Sequence, residues 1–229
     1  MYTSNVAPVF TRVSKQTLRG QIADRIREAI LNGSLGSGER IVERRLAEQF
    51  GASLTAVREA LITLESEGFV LKKPNSSTYV TEYSQGEVKK AFEFRRVLES
   101  YAIEEAMRRA IPEQIDKVAR GYMEMVEVAG RGDQGLFLQK DFDWHESIWE
   151  LSDNEFLVNA LRRLVLPLFA FSAIRLRSGK ALDLLEDAYR HHAMMEAFRT
   201  KDVPGCLKAF NHAIGEWQML LRAWEANRK

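Results

Sequence analysis

The chain has 229 residues, 45% hydrophobic and 28% charged, with 33 Lys and Arg against 32 Asp and Glu and a formal net charge of +1. That is one large domain or two modest ones, and the composition excludes a disordered tail or a low-complexity array. The balanced charge announces no polyanionic partner, and the single Cys206 excludes an intramolecular disulfide and points to an intracellular protein.

The first ten residues, MYTSNVAPVF, have neither the basic start nor the apolar run of a signal peptide. The longest apolar stretch, 164–174, covers 11 positions including Pro167 and Ser172, whereas a spanning helix needs about 20. A soluble, cytoplasmic protein with no membrane partner is expected.

Residues 1–14 lack periodicity and read as loose. Apolar positions at Leu18, Ile22, Ile26 and Ile30 then predict a helix ended by Gly33. GSLGSGER (33–40) reads as a loop, and Val42 to Phe50 as a short helix stopped by Gly51. Ser53 is a natural N-cap for a third helix that buries Val57, Ala60, Leu61 and Leu64 and ends at Gly68. In 69–83, two β-branched or aromatic runs flank Pro-Asn-Ser-Ser, the pattern of a two-stranded hairpin.

The texture changes at Ser84, which with Glu87 makes a capping-box pattern. No strand signal follows. Helices are expected at about 85–110, 112–130, 135–151, 154–177, 181–200 and 203–226. Pro112 fits a first turn, Ser152 with Glu155 repeats the capping-box pattern, and residues 201–204 break the last two helices. The expected fold is mainly α. A loose N-terminus (1–14) precedes a winged helix-turn-helix of three helices and a β-hairpin (15–83), then an antiparallel all-α bundle of about six helices (84–229).

In a winged helix-turn-helix the third helix enters the major groove, the second crosses the backbone and the wing touches phosphate or the minor groove. Residues 1–83 carry 11 basic and 9 acidic residues, so their excess is only +2. Placement says more. Arg44 and Arg45 open the second helix, Arg58 sits in the third, and Lys72 and Lys73 precede the hairpin tip. Ser53-Leu54-Thr55-Ala56 opens the third helix with small side chains able to approach base edges. The bland alternative is a set of solvated charges on an ordinary small module.

LRGQIADRIREAILNGSLGSGERIVERRLAEQFGASLTAVREALITLESEGFV resembles the winged-helix domain of the GntR superfamily of bacterial transcription regulators. The matching pieces are Gly-x-Leu-x-x-Gly-Glu-Arg, Glu-x-x-Leu-Ala, Val-Arg-Glu-Ala-Leu and Leu-Glu-x-Glu-Gly, over about residues 15–82. The resemblance implies that Arg44, Thr55 and Arg58 contact double-stranded operator DNA, with Ser53 nearby. It departs at Leu54, where the family has a base-reading arginine, and at Ser76-Ser77, where the family wing has Arg-Gly. Leucine cannot donate to a guanine edge but can pack on a thymine methyl, so a shifted operator preference is expected.

All four histidines lie between 145 and 212. Asp141 and His145, four apart, share the helical stripe of Phe137, Trp144, Ile148 and Leu151, and His191 shares another with Leu184, Ala188, Met195 and Phe198. His192 is turned aside. A carboxylate on an apolar face needs a partner, and Asp with imidazoles suits a divalent transition metal with open positions. A hydrogen-bonded core histidine and an ion-paired Asp141 are the plain alternative. Arg95, on the stripe Val88, Phe92, Arg95, Glu99, Ala102, either clamps a ligand carboxylate or pairs internally with Glu99 or Asp141. Met123, Met125, Phe169, Phe171, Trp217 and Trp224 read as core, and Cys206 as a packed thiol.

Asp-x-x-x-His-x-x-Ile-x-x-x-Ser-x-Asn (141–154) and FEFRRVLES (92–100) resemble the FCD class of ligand-binding domain, named after the regulator FadR. That class implies an all-helical bundle holding a metal through one Asp and three His, with a small carboxylate effector completing the coordination. Asp141 and His145 match it, and His191 matches through HHAMMEAFRTKD. His212 is the third candidate, one residue early, which is 100° of helix rotation. Zinc is the first choice of metal, then nickel or manganese.

The reading is therefore a ligand-responsive transcription regulator, a repressor by the family's commoner mode, acting as a homodimer on a palindromic operator. One alternative keeps the DNA-binding domain but gives the bundle a metal-free pocket for an acyl or aromatic ligand. A remote one is a metal-dependent hydrolase with Glu99 or Glu146 as base.

Overall fold

The computed structural model describes residues 17–73, 77–177 and 183–226; the loose N-terminus expected at 1–14 and Ser76 of the wing tip lie outside them, as does the side chain of Trp224. The elements run α1 (Leu18–Leu31), β1 (Arg40–Ile41), α2 (Glu43–Phe50), α3 (Leu54–Ser66), β2 (Val70–Lys73) and β3 (Ser77–Val80). They continue with α4 (Gln85–Arg109), α5 (Pro112–Gly130), α6 (Gln134–Glu150), α7 (Glu155–Arg177), α8 (Leu184–Arg190), α9 (His192–Arg199) and α10 (Val203–Ala226).

The first six elements enclose one core. Ile22, Ile26 and Ile30 of α1 meet Val57, Leu61 and Leu64 of α3, and Phe69, Val70 and Val80 close it from the sheet. The hairpin β2–β3 pairs antiparallel with Val70 opposite Val80. β1, at the end of the segment expected to be loop, adds a third strand on the far side of β3, with Arg40 opposite Tyr79. Gly51 ends α2 at φ +58, and the Ser53 hydroxyl then caps α3 by accepting from Ala56 N at 3.2 Å. This is the winged helix-turn-helix expected from the sequence.

The second core belongs to α4–α10. α4 begins with the capping box, Glu87 N to Ser84 Oγ at 3.3 Å and Ser84 N to Glu87 Oε2 at 2.8 Å. At its other end, Lys201 Nζ donates to the Ala110 carbonyl at 2.7 Å. α4 packs on α6, α7 and α10, and α5 on α6, α8 and α9. Among the described residues no helix is long and apolar enough to cross a membrane.

α7 joins the two cores. Its Leu166 packs against both, and Ala170 is buried in the N-terminal one. Gly68, at φ +80, faces Pro167 inside α7 so closely that a Cβ there would lie 2.5 Å from the proline Cγ.

Three local expectations are corrected. The cap of α7 is Asn154, whose Oδ1 accepts from Leu157 N at 3.1 Å, because Asp153 turns the chain at φ +54 and starts the helix after the Ser152 register. Met123 is exposed, not core. The single helix expected at 181–200 breaks at His191 into α8 and α9, with residues 181 and 182 outside those described.

Candidate functional site

On the winged domain, Arg44, Arg45, Ser53, Thr55, Arg58, Lys72 and Lys73 are all exposed. α3 buries Val57, Ala60, Leu61 and Leu64, so Thr55, Arg58 and Ile62 are left on its outward face. Ile62, 64% exposed, was not singled out from sequence; an apolar residue off the buried stripe is the signal that could have found it. Arg58 Nε donates to Glu43 Oε2 at 2.7 Å, tying α3 to the start of α2. Lys73 Nζ lies 4.5 Å from the Tyr79 ring centroid.

Inside the bundle, three buried side chains from two helical segments converge. α6 supplies Asp141 and His145 one turn apart, and the α8–α9 break supplies His191. The two Nε2 atoms lie 3.3 Å apart. Asp141 Oδ1 is 3.3 Å from His191 Nε2 and 3.6 Å from His145 Nε2. Donors bonded to one metal ion at about 2.0–2.2 Å stand roughly 3–3.5 Å from one another, close to the separations here. Asp141 Oδ1 is fully buried and accepts no aligned hydrogen bond, which is the kind of orphan a cation would satisfy. The residues fit a divalent metal.

The outer face of the His191 ring is held by a hydrogen bond, and that of His145 lies against a carboxylate. His191 Nδ1 lies 3.1 Å from the Asp187 carbonyl oxygen. A carbonyl only accepts, so Nδ1 carries the proton and Nε2 keeps its lone pair toward the cluster. At the same place the helix breaks, the His191 backbone N–H bonding Ala188 O at 3.1 Å. His145 Nδ1 lies 3.2 Å from Glu99 Oε2, short but poorly aligned for a hydrogen bond. Glu99 is fixed in turn by Arg95 Nε and by Trp149 Nε1 at 3.0 Å. Such outer partners orient metal-binding histidines and raise their basicity.

Electrostatics separate the carboxylates. Burial alone would raise Glu99, but the Arg95 guanidinium and His145 hold it down at about 2. Burial pushes Asp141 up to about 6, against the pull of His145 and Arg95. Burial and the charge of Asp141 push Asp187 to about 6, against His191 and Arg190, whose Nη1 is 2.7 Å away. Burial lowers His191, favouring the neutral imidazole that a metal needs. Burial pushes the packed thiol of Cys206 up to about 12.

Arg95, Asp141, His145, Asp187, Arg190 and His191 line one pocket with Phe169, Met194, Phe210, Ala213, Ile214 and Trp217. Its room for water-sized bodies is about 30 Å³, where one water needs roughly 10–15 Å³. Arg95 pairs with Glu99 rather than standing free, while its guanidinium still faces the pocket 5.5 Å from the Phe169 ring centroid. His212 does not join the cluster. It is 76% exposed with Nε2 3.6 Å from Glu216 Oε1, and Ala213, 100° further round α10, occupies the pocket wall. The turn at Lys201, φ +60, leaves that rotation in place. Glu99 and Asp187 are the site residues whose roles sequence reasoning missed. Glu99 was placed on the inward stripe as a partner for Arg95, and that pair forms, but its position behind His145 was not foreseen; Asp187 acts partly through its backbone, which no side-chain pattern reveals.

The FCD domain family matches residues 90–215, and the family of bacterial regulatory proteins called gntR matches residues 18–80. A probable D-xylose utilization operon transcriptional repressor of Paenarthrobacter nicotinovorans is 25% identical, over 90% of this chain and 89% of its own. A gluconate operon transcriptional repressor of Bacillus licheniformis is 24% identical, over 90% and 86%. Among solved structures, Escherichia coli McbR/YncC superposes with a TM-score of 0.78 at 21% identity, covering 94% of this chain and 100% of that one, a likeness of fold.

Proposed function

The chain belongs to the GntR family of bacterial regulatory proteins, with an FCD domain, and we propose that it is a repressor that senses a small carboxylate and binds a palindromic operator as a homodimer. Both families point to a DNA-binding transcription regulator and not to an enzyme, so the hydrolase reading is set aside. In this proposal residues 15–83 read DNA, residues 84–229 sense the effector, and the protein works in the cytoplasm.

Arg44 and Arg45 neutralise phosphates, Ser53, Thr55 and Arg58 meet base edges, and Lys72 and Lys73 bring the wing to the backbone. With Leu54 next to Thr55, apolar contact with thymine methyls takes the place of a guanine contact at that step.

The observation that carries the sensing half is the orphaned Asp141 Oδ1 between two imidazoles whose Nε2 atoms face it. Asp141, His145 and His191 would hold a zinc, nickel or manganese ion. Bound there, the ion supplies a Lewis-acidic anchor for a carboxylate. Arg95 lines the same pocket and offers Nη groups to that carboxylate while Nε stays on Glu99. Relatives named as repressors of xylose and gluconate operons support repression of a catabolic operon.

The test is selection of random double-stranded DNA on purified protein, followed by titration of the enriched site against salt and small carboxylates. An enriched palindrome, steep salt dependence and a carboxylate-dependent change of affinity are expected. No enrichment from folded protein would refute operator reading. Elemental analysis of protein purified without an affinity tag, giving under about a tenth of an equivalent of zinc, nickel or manganese, would refute the metal.

A further inference from the structure

The 25-residue helix α4 uses one face for the bundle, burying Val88, Phe92, Arg95, Glu99 and Ala102. Its opposite face carries an apolar stripe that nothing in the chain covers among the described residues. Phe94 is 55% exposed, Val97 65% and Tyr101 49%. At 100° per residue these three, with Lys90, Glu104 and Arg108, fall within an arc of about 80°. Lys90, Val97 and Glu104 recur every seven residues, as do Phe94, Tyr101 and Arg108, the repeat of a helix that packs along a second helix.

We propose that a second copy of the chain docks on this face, α4 against α4, antiparallel about a two-fold axis at Val97. This rests on the homodimer of the proposed function and names its face. The argument is self-complementarity. Lys90 and Glu104 stand seven residues on either side of Val97, both exposed, and neither forms an ion pair with another described residue. A two-fold axis at Val97 sets Lys90 opposite the partner's Glu104 at both ends and brings Phe94 and Tyr101 over the partner's Tyr101 and Phe94. Apolar residues then fill the centre and charges the rim, the anatomy of a protein interface. A parallel pair would oppose lysine to lysine and glutamate to glutamate, so the charges select the antiparallel, isologous arrangement.

The experiment is sedimentation analysis of the full chain in four forms: wild type, Lys90→Glu, Glu104→Lys and the double exchange. Wild type is expected to be dimeric. Each single exchange opposes like charges twice and should raise the dimer dissociation constant about tenfold or more, whereas the double exchange should restore it. Circular dichroism with an unchanged helical spectrum confirms that each variant is folded whatever its state of association. In parallel, Val97→Cys should oxidise to a covalent dimer, because the axis brings the two position-97 side chains together, and Met123→Cys on an exposed face of α5 should not. Cys206 is buried and takes no part.

A wild-type dimer that neither single exchange weakens, or a double exchange without rescue, overturns the α4 face and leaves the homodimer reading standing. A monomeric wild type overturns both. Cross-linking at position 123 with none at 97 places the partner elsewhere and overturns the proposal. Stable wild-type complexes with another protein or with the chain's own N-terminal segment on α4, and no self-association, also overturn it.

Discussion

Glu99 stands behind His145: its Oε2 is 3.2 Å from Nδ1, on the side of the ring away from Asp141. Arg95 and Trp149 hold that carboxylate, and Arg95 with His145 keeps it ionised against the cost of complete burial. A fixed anion behind the ring keeps the proton on Nδ1 and the lone pair of Nε2 directed at the cluster. The helix α4 therefore shapes a site to which it contributes no ligand.

Glu99→Gln keeps the volume but removes the anion. Metal affinity should fall about 10–100-fold, the usual effect of losing an outer partner of a metal-bound histidine. Competition against a chromophoric chelator measures it. Affinity equal to wild type would make Glu99 a packing residue alone.

Asp141→Asn separates metal binding from stability. In the metal-free protein the Asp141 carboxyl titrates at about 6 against an ordinary 3.8. A raised acid leaves stability untouched below the lower value, erodes it as pH rises through the window from 3.8 to about 6, and imposes the full penalty above. Two units correspond to about 3 kcal/mol. Urea unfolding of metal-stripped protein should show the variant more stable than wild type at pH 7, by up to that amount, and level with it near the bottom of the window. The variant should also lose the metal. Equal stability at pH 7 would mean that water, not a missing cation, satisfies Oδ1.

His145→Ala and His191→Ala should each abolish stoichiometric metal, whereas His212→Ala should leave metal content and melting temperature unchanged. His212 is a surface residue beside Glu216. Elemental analysis of the three proteins decides it; metal lost on His212→Ala would require α10 to rotate by a residue.

The difference between His212 and Ala213 marks where sequence stops being legible. Periodicity located α4–α7 and α10 to within a residue or two, since each helix buries one continuous stripe, and Asp141 and His145 were readable from four-residue spacing on such a stripe. The phase of α10 relative to the cluster was not readable, because it depends on how a turn with Lys201 at positive φ passes between helices. The break at His191 was hidden because it is a local change of backbone bonding, His191 N–H to Ala188 O with the ring on the Asp187 carbonyl, that no side-chain pattern announces. β1 is only two residues long and exists through pairing with β3, so no local pattern announces it. Asn154 displaced Ser152 as the cap through one left-handed residue, Asp153.

Arg58→Ala should weaken operator binding by about 1–3 kcal/mol with the bundle's melting unchanged. In the free protein the guanidinium is held by half-buried Glu43, so DNA must draw it away or share it. Glu43→Gln therefore should leave operator affinity unchanged or raise it, the opposite direction to Arg58→Ala. Fluorescence anisotropy on the selected site measures both; parallel losses would show that Glu43 positions Arg58 for DNA instead of competing with it.

One helix, α7, touches both the pocket and the winged domain: Phe169 lines the pocket, Ala170 enters the winged-domain core and Pro167 lies against Gly68, so it is where the proposed coupling of effector to DNA can be tested. Gly68→Ala meets two obstacles. A side chain at φ +80 is strained by roughly 1–2 kcal/mol, and its Cβ would fall 2.5 Å from the Pro167 Cγ and 3.3 Å from the Arg163 carbonyl oxygen. Proline cannot swing aside, so α7 and the winged domain must part. Gly51→Ala is the matched control, with φ +58 and no atom within 4 Å of the added Cβ, so it carries the strain without the clash. Gly68→Ala should lower thermal stability more than Gly51→Ala and should diminish the effector-induced change in DNA affinity, while effector-free binding persists. Because both variants share the backbone strain, a loss of effector response confined to Gly68→Ala isolates the Pro167 contact as the coupling element; equal responses would assign the coupling to another route.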